Sequence, residues 1–319
     1  MKLLHLALLV ILAAAPPAAA QDWPTKQVRM VVPFAAGATP DIIMRLIGER
    51  LQAKTKQSFV VDNRPGASGN LGTEAVAKAA PDGSTIGISI LGPLGLNTLL
   101  FAKMSYDPFT DLALVTRLTD MPSVLAVNAD VPARTPAELV ALLKREPGKF
   151  NYGSIGNGSL SHLAMEAIAL KSGTQLVHIP YGASPQAVTA LIRGDVQMVC
   201  LPAASVMSQV QTGKVRALAI TSPKRSPLLP AIPALNEAGI DVDANAWNGL
   251  IAPAKTPDAL VAAIAREVNE ALHDPGVREK LNGQYMEPIG TSPAEFKAFL
   301  DAEMRRWTPV VQAAKVKMN

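Results

Sequence analysis

Short apolar runs rich in β-branched residues recur along the chain: VRMVV (28–32), FVVDN (59–63), STIGISI (84–90), SVLAVN (123–128), QLVHIP (175–180), VQMVC (196–200) and VRALAIT (215–221). Runs of this kind predict strands. Between several of them the apolar spacing changes to threes and fours, as in Ile43, Leu46, Ile47 and Leu51, or Leu160, Leu163, Ala167 and Ile168. That spacing predicts amphipathic helices, and the alternation predicts an α/β fold layered on mostly parallel sheets. Ser or Thr followed by Pro marks five helix starts, at Thr39, Thr135, Ser184, Thr256 and Ser292. The hydroxyl can cap a free backbone N–H, and proline at the first helical position gives up a donor that lacks a partner anyway. Glu138 and Glu295 stand where they complete capping boxes at two of these starts.

Composition adds an address and a size. MKLLHLALLVILAAAPPAAAQ carries one early positive charge, an apolar run from Leu3 to Ala15, and small residues at Ala18 and Ala20. This pattern predicts a secretory signal peptide over residues 1–20, cleaved near Ala20/Gln21, and so an exported protein. The apolar run is short for a membrane span. About 300 mature residues exceed one typical domain core, which favours two lobes. The proline-rich stretch 221–247 reads as a passage between them. If the chain leaves its first lobe near Met121-Pro122, lobe 1 comprises residues 21–122 and 241–319, lobe 2 residues 123–240. A cleft would lie between lobes joined by two crossings. Of 30 Lys and Arg, Lys2 falls in the leader, leaving 29 against 26 Asp and Glu, or +3. This small, scattered excess argues against nucleic acid. The single Cys200, in an apolar run, reads as a buried inert thiol.

The segment NYGSIGNGSLSHLAMEA (151–167) looks like a strand, a glycine turn and a helix start. Neither Gly148-Lys149-Phe150 nor Gly213-Lys214-Val215 supplies the Gly-Lys-Ser/Thr end of a P-loop, and Ser161 replaces the third glycine of a dinucleotide fingerprint. No Gly-x-Ser-x-Gly window occurs. Ser159 and His162 share a helix face, but no nearby carboxylate would orient the base. His5, His178 and His273 offer no metal spacing, so neither a metal nor a cofactor is expected.

An anion site survives these tests. A helix start exposes unpaired N–H groups and roughly half a positive charge, which suits a carboxylate. Ser154, Gly158 and Ser159 could all point at one. VVPFAAGATPD (31–41) is a second such turn, in the other predicted lobe. Asp41 is favoured by the helix dipole and could also accept from a ligand ammonium or hydroxyl. His162 could donate to a carboxylate or be a satisfied helix histidine, and Tyr181 and Trp247 could line the cleft or belong to the core.

Nearly the whole mature chain resembles the substrate-binding proteins of tripartite tricarboxylate transporters, the Bug receptors. The matching segments include WPTKQVRMVVPFAAGATPD, VVDNRPGASGNLGTEAVAKAAPDGST, NYGSIGNGSLSHLAMEA, LVHIPYGASPQAVTALIRGDV and WNGLIAPAKTP. The resemblance implies a two-lobed periplasmic-binding-protein fold of type II kind, each lobe a mixed sheet flanked by helices, closing on a ligand like a flytrap. It implies a monomer without catalysis that delivers a small organic acid to separate membrane subunits. The ligand-binding set it implies is Phe34, Ala36, Gly37, Ala38, Thr39 and Asp41 from one turn and Ser154, Asn157, Gly158, Ser159 and His162 from the other. Ser89, Tyr181 and Trp247 complete the set; the glycine-rich loop Asn63 to Gly72 reads mainly as structure, and its Ser68 to Asn70 could reach the cleft edge. Two departures from the family pattern bear on specificity. The usual Pro-Pro-Gly-Gly turn reads Ala35-Ala36-Gly37-Ala38, with Pro40 before Asp41. The run Cys200-Leu201-Pro202 lacks an aspartate that is common in the family, which points away from amino acids. The competing readings are a secreted serine hydrolase built on Ser159 and His162, and a sensor that signals without transport.

Overall fold

The structure is a computed structural model that describes residues 23–317; the leader expected at residues 1–20 lies outside the described residues. Strands β1 (Val28–Val32), β2 (Phe59–Asn63), β3 (Thr85–Ser89) and β4 (Leu112–Met121) build the first sheet. Strands β5 (Ser123–Asn128), β6 (Asn151–Ser154), β7 (Val177–Pro180), β8 (Met198–Pro202) and β9 (Val215–Ile220) build the second. Then β10 (Ala246–Pro253) and β11 (Glu287–Pro288) return to the first. The orders are β11-β4-β10-β3-β1-β2 and β7-β6-β8-β5-β9.

The helices are α1 (Thr39–Thr55), α2 (Asn70–Ala77), α3 (Asn97–Leu100), α4 (Pro136–Arg145), α5 (Leu160–Ser172), α6 (Ser184–Arg193), α7 (Ala203–Gln211), α8 (Asp258–Leu272), α9 (Pro275–Asn282) and α10 (Pro293–Ala314). Among the described residues, none is long and apolar enough to cross a membrane. Helices cover the sheets, so central strands such as β3 and β5 are buried along their whole length. This is the environment in which a continuous apolar run is stable as a strand.

Both sheets are mixed. β1 pairs in parallel with β2 and β3, and β6 with β7 and β8, but β10 runs antiparallel to β3 and β4, and β5 to β8 and β9. The expectation of mostly parallel sheets is corrected by β4 and β10, which no apolar run had marked. Arg117 and Asp120 interrupt β4, and Asn248 and Gly249 interrupt β10. These are the strands next to the crossings: Pro122 alone separates β4 from β5, and β9 leads back to β10. From these pairings, the carboxyl ends of β1, β2 and β3 lie at the same end of their sheet as the β4 exit. The carboxyl ends of β6, β7 and β8 lie at the β5 entry of theirs. The turns after these six strands therefore gather where the sheets adjoin.

Two of the five predicted caps form as expected. Thr135 accepts from Glu138 N and Ser292 from Glu295 N, and Glu295 returns a bond to Ser292 N. Glu138 instead reaches Arg134 N, one residue before the cap, so only the Ser292 box closes. At Thr39, Ser184 and Thr256 the side chain does not cap; α1 and α6 begin at the hydroxyl residue itself and α8 after Pro257.

Candidate functional site

The first turn leaves β1 at Pro33 and enters α1. Gly37 sits at φ 81°, in the left-handed region where a side chain is strained, while Ala38 at φ −71° and ψ 158° is ordinary extended backbone. The glycine is thus kept at the position whose geometry demands it. No side chain caps α1, and Asp41 in its first turn reaches back to the loop instead. Its Oδ2 accepts from Gly37 N at 2.8 Å and Arg45 Nε at 3.0 Å, and its Oδ1 from Asn63 Nδ2 at 3.0 Å and Arg45 Nη2 at 2.9 Å. Asn63 Nδ2 also reaches Phe34 O at 3.0 Å, so one amide ties both ends of the turn. Burial alone would raise the Asp41 pKa, but the Arg45, Gly37 and Asn63 hydrogen bonds together hold it below the usual carboxylate value. The N–H groups of Ala35, Ala36 and Thr39 have no partner among the described residues.

The second turn leaves β6 and enters α5. Gly158, at φ 70°, donates its N–H to His162 Nδ1 at 3.1 Å, which fixes the imidazole proton on Nε2. Ser159 caps the helix by accepting from His162 N at 3.3 Å, and donates its own proton to Gly156 O at 2.7 Å. Ser161 Oγ takes Ile155 N, and Ser154 Oγ takes Gly156 N. Gly158 and Ser159 are therefore occupied within the turn, contrary to the reading that they point at an anion. The N–H groups of Asn157, Leu160 and Ser161 remain without a partner among the described residues.

Below this turn lies an aromatic stack that the sequence did not announce. His178 stands opposite Tyr152 in the β6–β7 register, and the rings stack at 4.9 Å. His162 stacks on His178 at 3.8 Å and 10°. His178 Nε2 shares a 2.6 Å hydrogen bond with Ser154 Oγ, and the Tyr152 hydroxyl donates to Glu166. Burial drives both imidazoles down to about 4, with the His162 charge adding to the effect at His178, so both are neutral at physiological pH. No local motif signals His178, because only strand register brings it to Tyr152. Asn63 was missed for a similar reason, since its role exists only once β2 lies beside β1, whereas Arg45 stands four residues after Asp41 on α1 and was legible as a helical ion pair.

Ser89 is fully buried and bonds Thr73 Oγ1 at 3.0 Å. Phe34 rests against the loop before α2, where a methyl on Gly69 would lie 3.1 Å from its Cζ. The Tyr181 ring packs over Gly153, and burial followed by the charge of Asp195 raises its phenol. Trp247 is a core residue: it is 3% exposed, donates Nε1 to Glu303 at 2.9 Å, and meets Phe296 and Phe299 edge-on. Ser159 and His162 do not pair as nucleophile and base, since the hydroxyl and the ring nitrogen each bond backbone. Cys200 is fully buried, and burial pushes its thiol up to about 12. Concavities of about 590 Å³ between α1 and β2 and about 290 Å³ beside the crossings are lined by none of the predicted residues.

The arrangement is a pair of donor-rich helix starts without a reactive group, and comparison with known proteins agrees with it. The tripartite tricarboxylate transporter family receptor model, TctC, matches residues 43–316. The chain belongs to this family. Protein BugT of Bordetella pertussis is 33% identical over 307 residues, which cover 96% of this chain and 94% of BugT. Among solved TctC-like structures, R. palustris Rpa4515 with adipate matches at TM-score 0.82 and 34% identity, over 93% of this chain and 99% of that one. MatC from Rhodopseudomonas palustris with bound malate matches at 0.77 and 30%, over 91% and 100%. TctC and Bug relatives are periplasmic solute-binding proteins, not enzymes, and the two-lobed α/β architecture and family expected from the sequence are both borne out.

Proposed function

We propose that this TctC-family chain is an exported, monomeric, non-catalytic receptor that captures a small carboxylic acid between its lobes and passes it to the membrane subunits of a tripartite transporter. Residues 1–20 serve as the cleaved leader, residues 21–122 with 241–319 form one lobe, and residues 123–240 form the other. The observation that carries the reading is the pair of unpaired N–H sets, Ala35, Ala36 and Thr39 in one turn and Asn157, Leu160 and Ser161 in the other. Both sets open at helix starts on the adjoining ends of the two sheets. Such groups satisfy carboxylate oxygens without a lysine or arginine, and they are already oriented by the fold. Adipate and malate in the related structures belong to the same chemical class.

A thermal-shift screen of the mature protein tests the proposal against mono-, di- and tricarboxylates and neutral sugars. A specific acid should stabilise the native state by about 2.7 kcal/mol at a hundredfold excess over its Kd. A panel in which no carboxylate raises the melting temperature would overturn the reading.

A further inference from the structure

Six strands end where the sheets adjoin, and the segments that follow them are residues 33–41, 64–69, 90–96, 155–162, 181–187 and 203–207. Together these segments hold one carboxylate, Asp41. That carboxylate is already engaged. It is 2% exposed, and Gly37, Asn63 and both Arg45 contacts occupy its two oxygens. Asp62, at the end of β2, is held by Arg64 at 2.8 Å. The other acids near the crossings lie toward β11, the sheet edge farthest from β2. There Asp120 takes the Asn245 amide at 3.2 Å on one oxygen, keeps the other buried and without a partner among the described residues, and lines the smaller concavity with Glu287, while Asp243 pairs with Arg306 at 3.0 Å. In the second lobe, Glu166 is taken by the Tyr152 phenol one turn beyond His162.

The geometry points to a substrate class narrower than carboxylates in general: acids that carry no ammonium group. The inference rests on the receptor reading above. Both gripping turns are helix starts, whose positive ends attract a carboxylate and repel an ammonium. Between these two turns an ammonium would lose its water without meeting a free carboxylate, and hydroxyls and carbonyls do not compensate a full charge. Amino acids are thus rejected by what the site lacks, while hydroxy, keto and unsubstituted acids are not.

Titration calorimetry on the mature protein with matched pairs tests this: succinate against aspartate, glutarate against glutamate, and adipate against 2-aminoadipate, with malate as a hydroxy control. The inference expects the best-bound acid to exceed its amino counterpart by about a hundredfold or more. An amino acid that binds within about tenfold of its partner, or more tightly, overturns the exclusion while leaving the receptor reading intact. Binding of neither member of any pair overturns this inference for dicarboxylates, and the receptor reading falls with it only where the wider carboxylate screen is blank as well.

Discussion

Asp41→Ala removes the acceptor that Gly37, Arg45 and Asn63 share, leaving a half-buried amide without its partner and a half-exposed guanidinium to water. The expected cost is about 2 kcal/mol in urea unfolding, with weaker acid binding because the turn loses its pin. Asn63→Ala should weaken binding in the same direction, since it releases both Phe34 O and Asp41. Acid pH tests two sets of groups with the same sign. The folded pKa of His162 and His178 lies near 4 against 6.5 unfolded, so the unfolded chain binds more protons in that window and stability falls as pH drops through it. His162 alone accounts for on the order of 3 kcal/mol by pH 4. Asp41, also depressed, loses its contribution lower still, below the ordinary carboxylate value. Urea midpoints measured between pH 7 and 4 should slope steeply in the parent and flatten in His162→Gln; an unchanged slope would mean the imidazole is not buried neutral. At this scale the sequence exposed Asp41 through its place in a first helical turn. Asn63 was hidden because it reaches Asp41 only through the Val32–Asn63 register of two parallel strands, whereas Arg45 is a same-helix neighbour four residues on.

Elements were legible where local chemistry agrees with tertiary packing. The β-branched runs 28–32, 59–63 and 123–128 match β1, β2 and β5 residue for residue: β1 and β5 are almost wholly buried and so predominantly apolar, while β2 is a half-exposed edge strand marked by its Phe-Val-Val start. By contrast, β4 and β10 carry Thr, Arg, Asp and Asn whose side-chain partners come from distant parts of the chain, as in Asn248 to Thr119 and Thr116 to Asn269. A pattern rule that asks each run to be apolar by itself cannot find such strands. The contact of α2 with the first turn gives a test at this scale. A methyl on Gly72 would lie 2.5 Å from Pro33 Cα and 2.9 Å from Arg64 O, so both backbones would have to move. Gly72→Ala should cost more than about 2 kcal/mol and weaken acid binding, because Pro33 begins the gripping turn. Gly148→Ala, where no atom stands within 4 Å, should leave binding unchanged, with only its φ of 73° adding a small strain. Equal affinity in both variants would separate α2 packing from the site.

For the molecule as a whole, two sheets and a return of the chain were foreseeable from length, proline content and alternation. The ligand's identity was not, since it depends on which hydrogen-bonding groups the turns leave unpaired. That depends on contacts such as Gly158 to His162, which form only in the folded turn. The same accounting bears on motion. The crossings are tied by Thr221 and Ser123, which bond through backbone and hydroxyl, and by Asn245, which bridges Ser222 at 2.9 Å to Asp120 at 3.2 Å. Closing the turns toward each other can therefore be confined to a few residues at one side, leaving each sheet intact. A ligand shifts such an equilibrium only by its difference in affinity between the two forms, and moving it from 1:99 to 99:1 takes about 5.5 kcal/mol. An acid long enough to touch both turns supplies that difference through donors from both lobes, whereas one that touches a single turn supplies none. Small-angle scattering should accordingly show a smaller radius of gyration at saturation with the tightest dicarboxylate, and no change at saturation with a monocarboxylate of similar size. Identical profiles for both, at concentrations where calorimetry shows full occupancy, would confine the acid to one turn and refute closure between the lobes.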